Sequence, residues 1–593
     1  MAVSKQLISP RPYFASYEHR APMPRPALPS LVEQTWQICA VISLCLGTSY
    51  IYWRLTDSFN EQAPIFSIAV MAAELLAFVG LCLFYFDIWA EGDTIEHDLP
   101  SGARDVGIGE DRPIAVDILI TTFDEPVEVL SLTIQDALNV EDGAGFETSV
   151  YVLDDGHRSE IADLSALYGV KYLTRNNNRG YKAGNLREAL FSTDGDFILI
   201  CDADTRLLPP FVKNTLGYFK DPQVSWVQTP HWFYDLPSGH TLRREIRRLF
   251  PRTARTLGKL GLLPNFQIRF GSDPFMNNPD FFFDVIQRRR NRNFSSFCCG
   301  AGSIHRRSAL LEVALSDQAV AAAKVQRQIN TDNPKAVLRL AESRPFQFHV
   351  SEDLFTSIRH QRRGWKSVFH PQIEAKMLSP RTISSWTLQR MKYAGGTYDI
   401  MARANPIFMK NVNWRTKLHY LSTFWSYLSV FWIPILLLSP AISLLTGWSP
   451  VQAYSLQFFL HLVPFLVFHE IAVMITSKGH DVNLGRSMMV GLLPMHFKAG
   501  WNVIRGRKPT FVPTPKIPVG NDGQSHLLPH FMLLFFFAFS ACIGLFQHQN
   551  SVDGYSTAFL TTNLLWLSWN FAIVWRTAKI LLWQKVQSSS PKG

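Results

Sequence analysis

Seven cysteines are spread over 593 residues, and they fall into no metal-ligating spacing and no secreted disulfide pattern. Cys39, Cys45, Cys82 and Cys542 lie in apolar runs, while Cys201, Cys298 and Cys299 lie in the central block, as expected of a reducing cytoplasm. The first 32 residues lack the short basic start and apolar core of a cleavable signal peptide, so the first apolar run is expected to stay as an anchor. There is no internal repeat, no low-complexity block and no nucleic-acid motif. The net charge is +10. With nucleic acid set aside as a partner, basic residues beside apolar runs point to a membrane surface.

What is present is apolar sequence at both ends and a charged, mixed-pattern block between. The chain is 47% apolar and 13% aromatic. A spanning helix needs about 20 mostly apolar residues, and six segments qualify: 35–54, 64–88, 418–442, 455–476, 527–546 and 557–576. Arg11, Arg20 and Arg25 precede the first, Lys410, Arg415 and Lys417 the third. A basic loop from Lys478 to Lys516 follows the fourth, and Arg576 and Lys579 follow the sixth. The loops 57–63, 446–452 and 547–556 carry no Lys or Arg, and Arg54 is the one exception to the alternation. By the positive-inside rule both termini and the central block are cytoplasmic.

The central block reads as alternating strands and helices. Val116–Thr121, Ser149–Leu153, Phe197–Cys201 and Val224–Gln228 are short apolar, β-branched runs, the pattern of an α/β domain with a mostly parallel sheet. Ligands bind such sheets at the carboxyl ends of the strands, and the first three runs lead into Asp124, Asp154–Asp155 and Asp202–Asp204. Val482–Arg507 is partly apolar, basic and interrupted by Pro494, which predicts helices lying in the membrane interface.

Four motifs carry chemistry. Asp202-Ala203-Asp204 can face a divalent cation and a sugar together, since Mg²⁺ binds through one or two carboxylates plus substrate phosphates. A lone pair of this kind is also a common solvated turn. Asp154-Asp155-Gly156 suits a tight turn or nucleoside recognition. Lys182, in RNNNRGYKAGN, can neutralise a diphosphate or stay solvated. Ser351-Glu352-Asp353 opens a helix, where acids complement the dipole. Asp353 can also take a proton from an attacking hydroxyl.

DDG, KAGN, DAD, QTP, FCCG, SED and QRMKY occur in that order over roughly residues 40–520. In this the chain resembles family-2 processive glycosyltransferases: bacterial cellulose synthase catalytic subunits and related β-glucan synthases, including curdlan synthase. The resemblance implies a GT-A-like α/β cytoplasmic glycosyltransferase domain inserted between six transmembrane helices, with interface helices. Its expected divisions are a tail at 1–33, two spans at 34–90, the transferase at 91–400, an interface helix and two spans at 401–480, interfacial helices and a gating loop at 481–526, and two spans and a tail at 527–593. It implies a processive, inverting enzyme of the bacterial inner membrane. That enzyme polymerises glucose from UDP-glucose into a β-glucan and translocates it with Mg²⁺ or Mn²⁺ as cofactor. UDP-N-acetylglucosamine is an alternative donor. The implied partners are the donor, the growing chain and the bilayer; a periplasmic or accessory subunit is left open. No cyclic di-GMP-sensing PilZ domain is expected after the sixth helix. An inactive scaffold and a nonprocessive lipid-carrier transferase are weaker readings, given the acids, Lys182 and six spans.

Residue by residue, the resemblance assigns Thr121, Asp124 and Asp155 to the uridine end, Lys182 to the diphosphate, Asp202 to the donor and Asp204 to the metal. Asp353, paired with Glu352, is the general base, and Cys299 borders the acceptor. Gln389, Arg390 and Lys392, with Tyr393, stand in the family's QxxRW motif and contact the diphosphate and chain end. Phe511, Thr514 and Lys516 match its FxVTxK gating loop. Three departures stand out. Lys392 and Tyr393 replace Arg and Trp, turning a planar phosphate fork into a point charge and shrinking the platform beneath the terminal sugar. This brings a curdlan-type β-1,3 linkage into question beside β-1,4. The segment 310–350 is long and Ala-rich, predicting an extra helix. Pro513 replaces the gating-loop Val.

Outside the motifs, Phe424, Trp425, Tyr427, Phe431 and Trp432 are candidates to line a sugar channel. Glu74 and Glu470 are charges within spans that line such a path or sit at helix ends. The run Arg288–Arg292 is expected to face solvent or headgroups.

Overall fold

The computed structural model describes residues 12–141, 143–241, 269–329, 342–452, 454–509 and 523–581, with positions 247, 251 and 255. Two long apolar helices come first, α1 (Ser30–Thr56) and α2 (Pro64–Asp87). Pro64 opens α2, where its missing N–H has no intrahelical partner to lose. Among the described residues, five helical segments are long and apolar enough to cross a membrane: Ser30–Thr56, Pro64–Asp87, Trp414–Thr446, Leu456–Thr476 and Gln524–Gln549. The sixth expected span does form a helix, Thr557–Ala578, but is not among the five. Thr557, Thr561, Thr562, Asn563, Ser568 and Asn570 dilute its apolar character. Its Phe559, Leu560 and Leu567 are buried against Leu437, Leu444 and Phe537 of neighbouring helices.

A seven-stranded sheet lies between α2 and the later helices. Its strands are β1 (Ile114–Thr122), β2 (Phe146–Asp154), β3 (Lys171–Leu173), β4 (Phe197–Asp202), β5 (Val224–Gln228), β6 (Ser303–Arg306) and β7 (Lys366–Phe369). The spatial order is β7-β5-β6-β4-β1-β2-β3. All pairings are parallel except those of β6, which runs against both β4 and β5. Ile118, Ile120, Val152, Leu199 and Ile304 are fully buried, so the central strands read as continuous apolar runs, as sheets covered on both faces do. The register sets Thr121 opposite Asp202 and Thr122 opposite Asp154. The acidic strand ends therefore meet along one edge.

The expected extra helix is present as Arg307–Ile329. The predicted interfacial segment forms two helices, Val482–Gly491 and Leu493–Ile504, with Pro494 in the first turn of the second.

One expectation about charge is corrected. Arg288, Arg289 and Arg290 are buried, not solvated. Each meets a carboxylate far away in sequence: Arg288 with Asp93, Arg289 with Glu33 at 2.7 Å and Arg290 with Asp87 at 2.6 Å; Arg288 also bonds Asp284, four residues before it, at 2.9 Å. Packing against α1 and α2 removes them from water, and five N–H donors per guanidinium make the burial satisfiable. Glu74 is engaged within the bundle. Its carboxylate accepts from Arg54 Nε at 2.6 Å and from the Tyr50 hydroxyl at 3.0 Å. Arg54 is thereby neutralised in place, which accounts for its breaking the charge alternation. Glu470 pairs with Arg486 at 2.6 Å. Of the aromatic candidates, Phe424 and Trp432 are buried, the Trp425 indole donates to the Leu76 carbonyl at 3.0 Å, and Phe431 is exposed.

Candidate active site

The end of β1 makes the first wall. Thr121 is buried and its hydroxyl donates to the Cys201 carbonyl at 3.2 Å. The chain then turns outward through exposed Phe123 and Asp124. Glu125 fixes the turn by accepting from the Thr122 hydroxyl (2.9 Å) and the Phe123 amide (2.8 Å). The end of β2 makes the second wall. Asp154 is buried and accepts from the amides of Gly156 (2.9 Å) and Arg158 (2.8 Å), an Asx turn. Gly156 is needed there, because a Cβ would lie 2.1 Å from the Phe123 carbonyl oxygen. Asp155 projects the other way and is gripped by Arg175 through two bonds of 2.6 and 2.7 Å. The walls enclose an open cleft of about 560 Å³ bordered by Phe123, Asp124, Asp155, Arg158 and Asn178, within the size range of small-molecule sites.

A charged cluster lies on the next strand end. Helix α3 (Tyr181–Ser192) starts at Gly180, whose φ of +78° and close approach to the Phe348 ring admit no side chain. Lys182, in its first turn, donates to Asp202 Oδ1 at 2.6 Å. Asp202 is open to the cleft, while Asp204 is buried and accepts from the Leu378 amide at 3.1 Å. Helix α4 (Glu352–Arg362) brings Glu352 and Asp353 to the same place, and Asp353 Oδ1 accepts from the Leu354 amide at 2.7 Å. Lys182, Glu352, Asp353, Cys298 and Gly300 line one cavity. Gly300 has φ +86°, and a Cβ on it would stand 3.6 Å from Lys182 Nζ and 3.8 Å from Asp353 Oδ2.

The electrostatics follow from that crowding. Burial works against the Lys182 charge, but Asp202, Glu352 and Asp353 hold the ammonium above its ordinary value. Burial, reinforced by Asp353, pushes Glu352 up to about 8. Burial also raises Asp353, with Lys182 pulling it back. The two acids titrate as a unit, and their protons are released above the ordinary carboxylate range.

The FCCG loop closes the cavity. Gln228 of the QTP motif accepts the Cys299 amide at 2.7 Å, and Ser357 of α4 accepts the Cys298 amide at 2.7 Å. Burial pushes both thiols up, Cys298 to about 12, so neither is a ready nucleophile. Gln389, Arg390, Lys392 and Tyr393 lie on helix α5 (Ile383–Arg403), started by a Thr382–Ser385 capping box. Tyr393 is 48% exposed, with the Arg390 guanidinium 6.0 Å from its ring centre. One turn on, Gly396 lets α5 press on Ser351, since a Cβ there would meet its hydroxyl at 1.9 Å. Phe511, Thr514 and Lys516 lie outside the described residues.

The structure thus gathers Lys182, Asp202, Glu352, Asp353 and the Cys299 loop. It sets Asp124 and Asp155 along the neighbouring cleft, with Thr121 buried at the end of β1, and Gln389, Arg390, Lys392 and Tyr393 on the helix braced against Ser351. Sequence reasoning missed Arg175 as the partner of Asp155, Glu125 as the turn lock and Gly300 as the spacer. Arg175 and Gly300 lie inside quoted motifs, whereas Glu125 lies outside them.

Residues 197–471 match the family described as Glycosyl transferase family group 2. The chain is 28% identical over 444 residues to Cellulose synthase 1 catalytic subunit [UDP-forming] of Komagataeibacter xylinus, covering 74% of this chain and 51% of that protein. It is 27% identical over 445 residues to Cellulose synthase 2 of Novacetimonas hansenii, covering 74% and 24% respectively. Over these stretches the chain is similar to family-group-2 glycosyl transferases and to cellulose synthases. The chain spans about a quarter to a half of the length of these relatives. Among solved structures, a mannosyltransferase from Pyrobaculum calidifontis aligns with TM-score 0.43 and 12% identity, covering 75% of this chain and 99% of that one.

The two carboxylates of the Asp202–Asp204 turn suit a divalent cation. Asp202 and Asp204 offer hard carboxylate oxygens one residue apart at a strand end. Among the described residues no group of three or more His, Cys, Asp or Glu is set for an ion. The remaining ligands would therefore come from a diphosphate and water.

Proposed function

We propose that the protein is a processive, inverting glycosyltransferase that polymerises glucose from UDP-glucose into a β-glucan and moves the product across the bacterial inner membrane, its catalytic domain on the cytoplasmic side. One observation carries the reading: Lys182 and the Glu352–Asp353 pair line a single cavity beside Asp202, next to an open cleft of nucleoside size. In this reading the cleft at Asp124 and Asp155 takes the uridine, Thr121 supports its floor, and Lys182 meets the diphosphate. Asp202 and Asp204 would hold Mg²⁺ or Mn²⁺, which when bound offsets the negative charge of the diphosphate.

The acceptor hydroxyl lies over the Cys299 loop and attacks the anomeric carbon. Its oxygen–carbon bond forms as the bond from that carbon to the diphosphate oxygen breaks, and Asp353 takes the hydroxyl proton. Burial keeps the Asp353 pKa high enough for it to be an effective base. Lys182 stays charged throughout and faces the leaving group, a preorganised electrostatic contribution. Gln389, Arg390 and Lys392 act on the diphosphate side of the chain end, and Phe511, Thr514 and Lys516 close over UDP.

Tyr393 favours a second reading of the linkage. A half-exposed phenol at the sugar platform presents a different ring and an added hydroxyl to the terminal residue, which supports β-1,3 beside β-1,4. The test is incubation of purified protein in nanodiscs with radiolabelled UDP-glucose and Mg²⁺ or Mn²⁺, followed by linkage-specific glucanases. Product cut only by β-1,3-glucanase assigns a curdlan-type polymer, and product cut by β-1,4-glucanase a cellulose-type one. Polymer from UDP-N-acetylglucosamine alone overturns the glucose assignment.

A further inference from the structure

The buried arginine run lies on an unusual stretch of backbone. Phe281–Gln287 is a π-helix, Arg288–Arg290 is α-helical and Asn291–Asn293 is a 3₁₀ turn that ends at Phe294 with φ +50°. A π-helical segment this long is rare, and such segments are found mostly at functional sites. The stretch runs directly into the FCCG loop. The Gln287 side-chain amide donates to the Phe297 carbonyl at 3.1 Å and contacts Cys299 Sγ at 3.3 Å. The Arg290 guanidinium stands 5.1 Å from the Phe297 ring centre.

Arg290 is also the point at which this stretch meets the membrane helices. Its Nε and Nη2 clasp Asp87, the last residue of α2, at 2.9 and 2.6 Å. Helix α6 (Trp414–Leu428) completes the site. His419 Nδ1 contacts Asp87 Oδ1 at 2.5 Å, and the Thr423 hydroxyl accepts from Arg290 at 2.9 Å. The next residue of the same turn, Tyr420, donates to Gln361 of the catalytic helix α4 at 2.8 Å. Tyr420 and Phe424 are buried against Leu354 and Ile358 of α4. One turn of α6 thus grips the acceptor loop through Asp87 and Arg290, and the helix bearing Asp353 through Tyr420.

We propose that Asp87, Arg290 and His419 form a positioning triad that holds the acceptor loop in register with the membrane helices, so that the chain end left by one transfer is presented to the next. The proposal rests on the polymerase reading above. The triad touches no substrate and acts through Phe297 and Cys299.

The test compares wild type with Asp87→Asn, Arg290→Lys, His419→Gln and Thr423→Val in nanodiscs. UDP affinity by calorimetry, UDP release and product length are measured on each. Affinity for UDP is expected to stay at the wild-type value. Polymer formed per UDP released is expected to fall about a hundredfold in Asp87→Asn and Arg290→Lys, the scale of a misplacement of about 1 Å, with shortened product. His419→Gln, which loses the His419 contacts with Asp87 and Asn293, and Thr423→Val, which loses the bonds to Arg290 and the His419 carbonyl, are expected to shorten the product without unfolding the protein. They carry the test if Asp87→Asn fails to fold. Unchanged length and unchanged polymer per UDP in the folded variants overturn the triad alone, as does a loss confined to UDP affinity. A wild type inert toward every nucleotide sugar overturns the parent reading, and the triad with it.

Discussion

Replacing Asp353 with Asn is expected to lower activity and raise stability at once. Asp353 Oδ1 accepts the Leu354 amide at 2.7 Å, and an Asn oxygen keeps that bond, so the helix start is preserved. What is lost is a proton acceptor, and positioned general bases contribute about 10²–10⁴-fold. What is gained is relief of two acids crowded in one buried corner. Glu352 is driven from 4.5 to about 8, by burial first and Asp353 next. Each unit of such elevation is about 1.4 kcal/mol, and Lys182 offsets part of it. A net gain of about 1–2 kcal/mol is expected, one unit or slightly more. The sign follows from linkage. Both carboxyls are raised in the folded state, so their contribution is fully present below the ordinary carboxylate range and lost as pH rises through the raised values. The advantage of Asn is therefore absent in acid, grows through neutrality and is complete above about pH 8. Polymer synthesis and thermal unfolding in nanodiscs, both followed against pH, check the two halves. Synthesis above a tenth of the wild-type rate refutes the base. A melting temperature that falls, or a gap that does not change with pH, refutes the electrostatic account.

Three other outcomes are expected. Arg175→Ala releases Asp155 from its two-bond grip; hydrogen bonds to charged groups are worth about 1.5–3 kcal/mol, so UDP affinity measured by calorimetry falls at least about tenfold, and unchanged affinity removes Asp155 from the nucleoside site. Gly300→Ala forces a side chain into φ +86°, while its Cβ makes only ordinary contacts with Lys182 and Asp353; about 1–2 kcal/mol of backbone strain lowers the melting temperature in nanodiscs and reduces polymer formation while UDP still binds, and an unchanged variant argues against a strained glycine at this corner. Arg54→Gln strands Glu74 and destabilises the protein by about 3–5 kcal/mol, read as thermal unfolding in nanodiscs, whereas adding Glu74→Gln restores most of the loss.

The sheet was legible because strands covered on both faces must be apolar throughout. Val116–Thr121 and Phe197–Cys201 were placed within two residues at each end. Asp202, Lys182 and Asp353 could be singled out because their motifs occur together in one order, since each alone also reads as a turn, a solvated lysine or a helix cap. Their meeting in one cavity was not legible, since it depends on β6 inserting antiparallel beside β4. Arg288–Arg292 was misread for a related reason. Charge alone suggests exposure, and the acids that make its burial possible, Glu33, Asp87 and Asp93, lie about 200 residues or more away in the chain. Helix Thr557–Ala578 was counted as a span on length, but its threonines and asparagines set it apart from the five apolar segments.

The Arg54–Glu74 pair bears on how the chain enters the bilayer. Inserted singly, α1 would carry a bare cation in its last turn and α2 a bare anion within the span, both unfavourable in the bilayer. Inserted together, the helices join Arg54 to Glu74 at 2.6 Å and cancel both charges. The eight-residue step from Thr56 to Pro64 keeps them close enough to pair as they emerge. The first two helices are thus built to integrate as a hairpin, and a ribosome-bound chain stopped before residue 74 would hold α1 less firmly than one stopped after it.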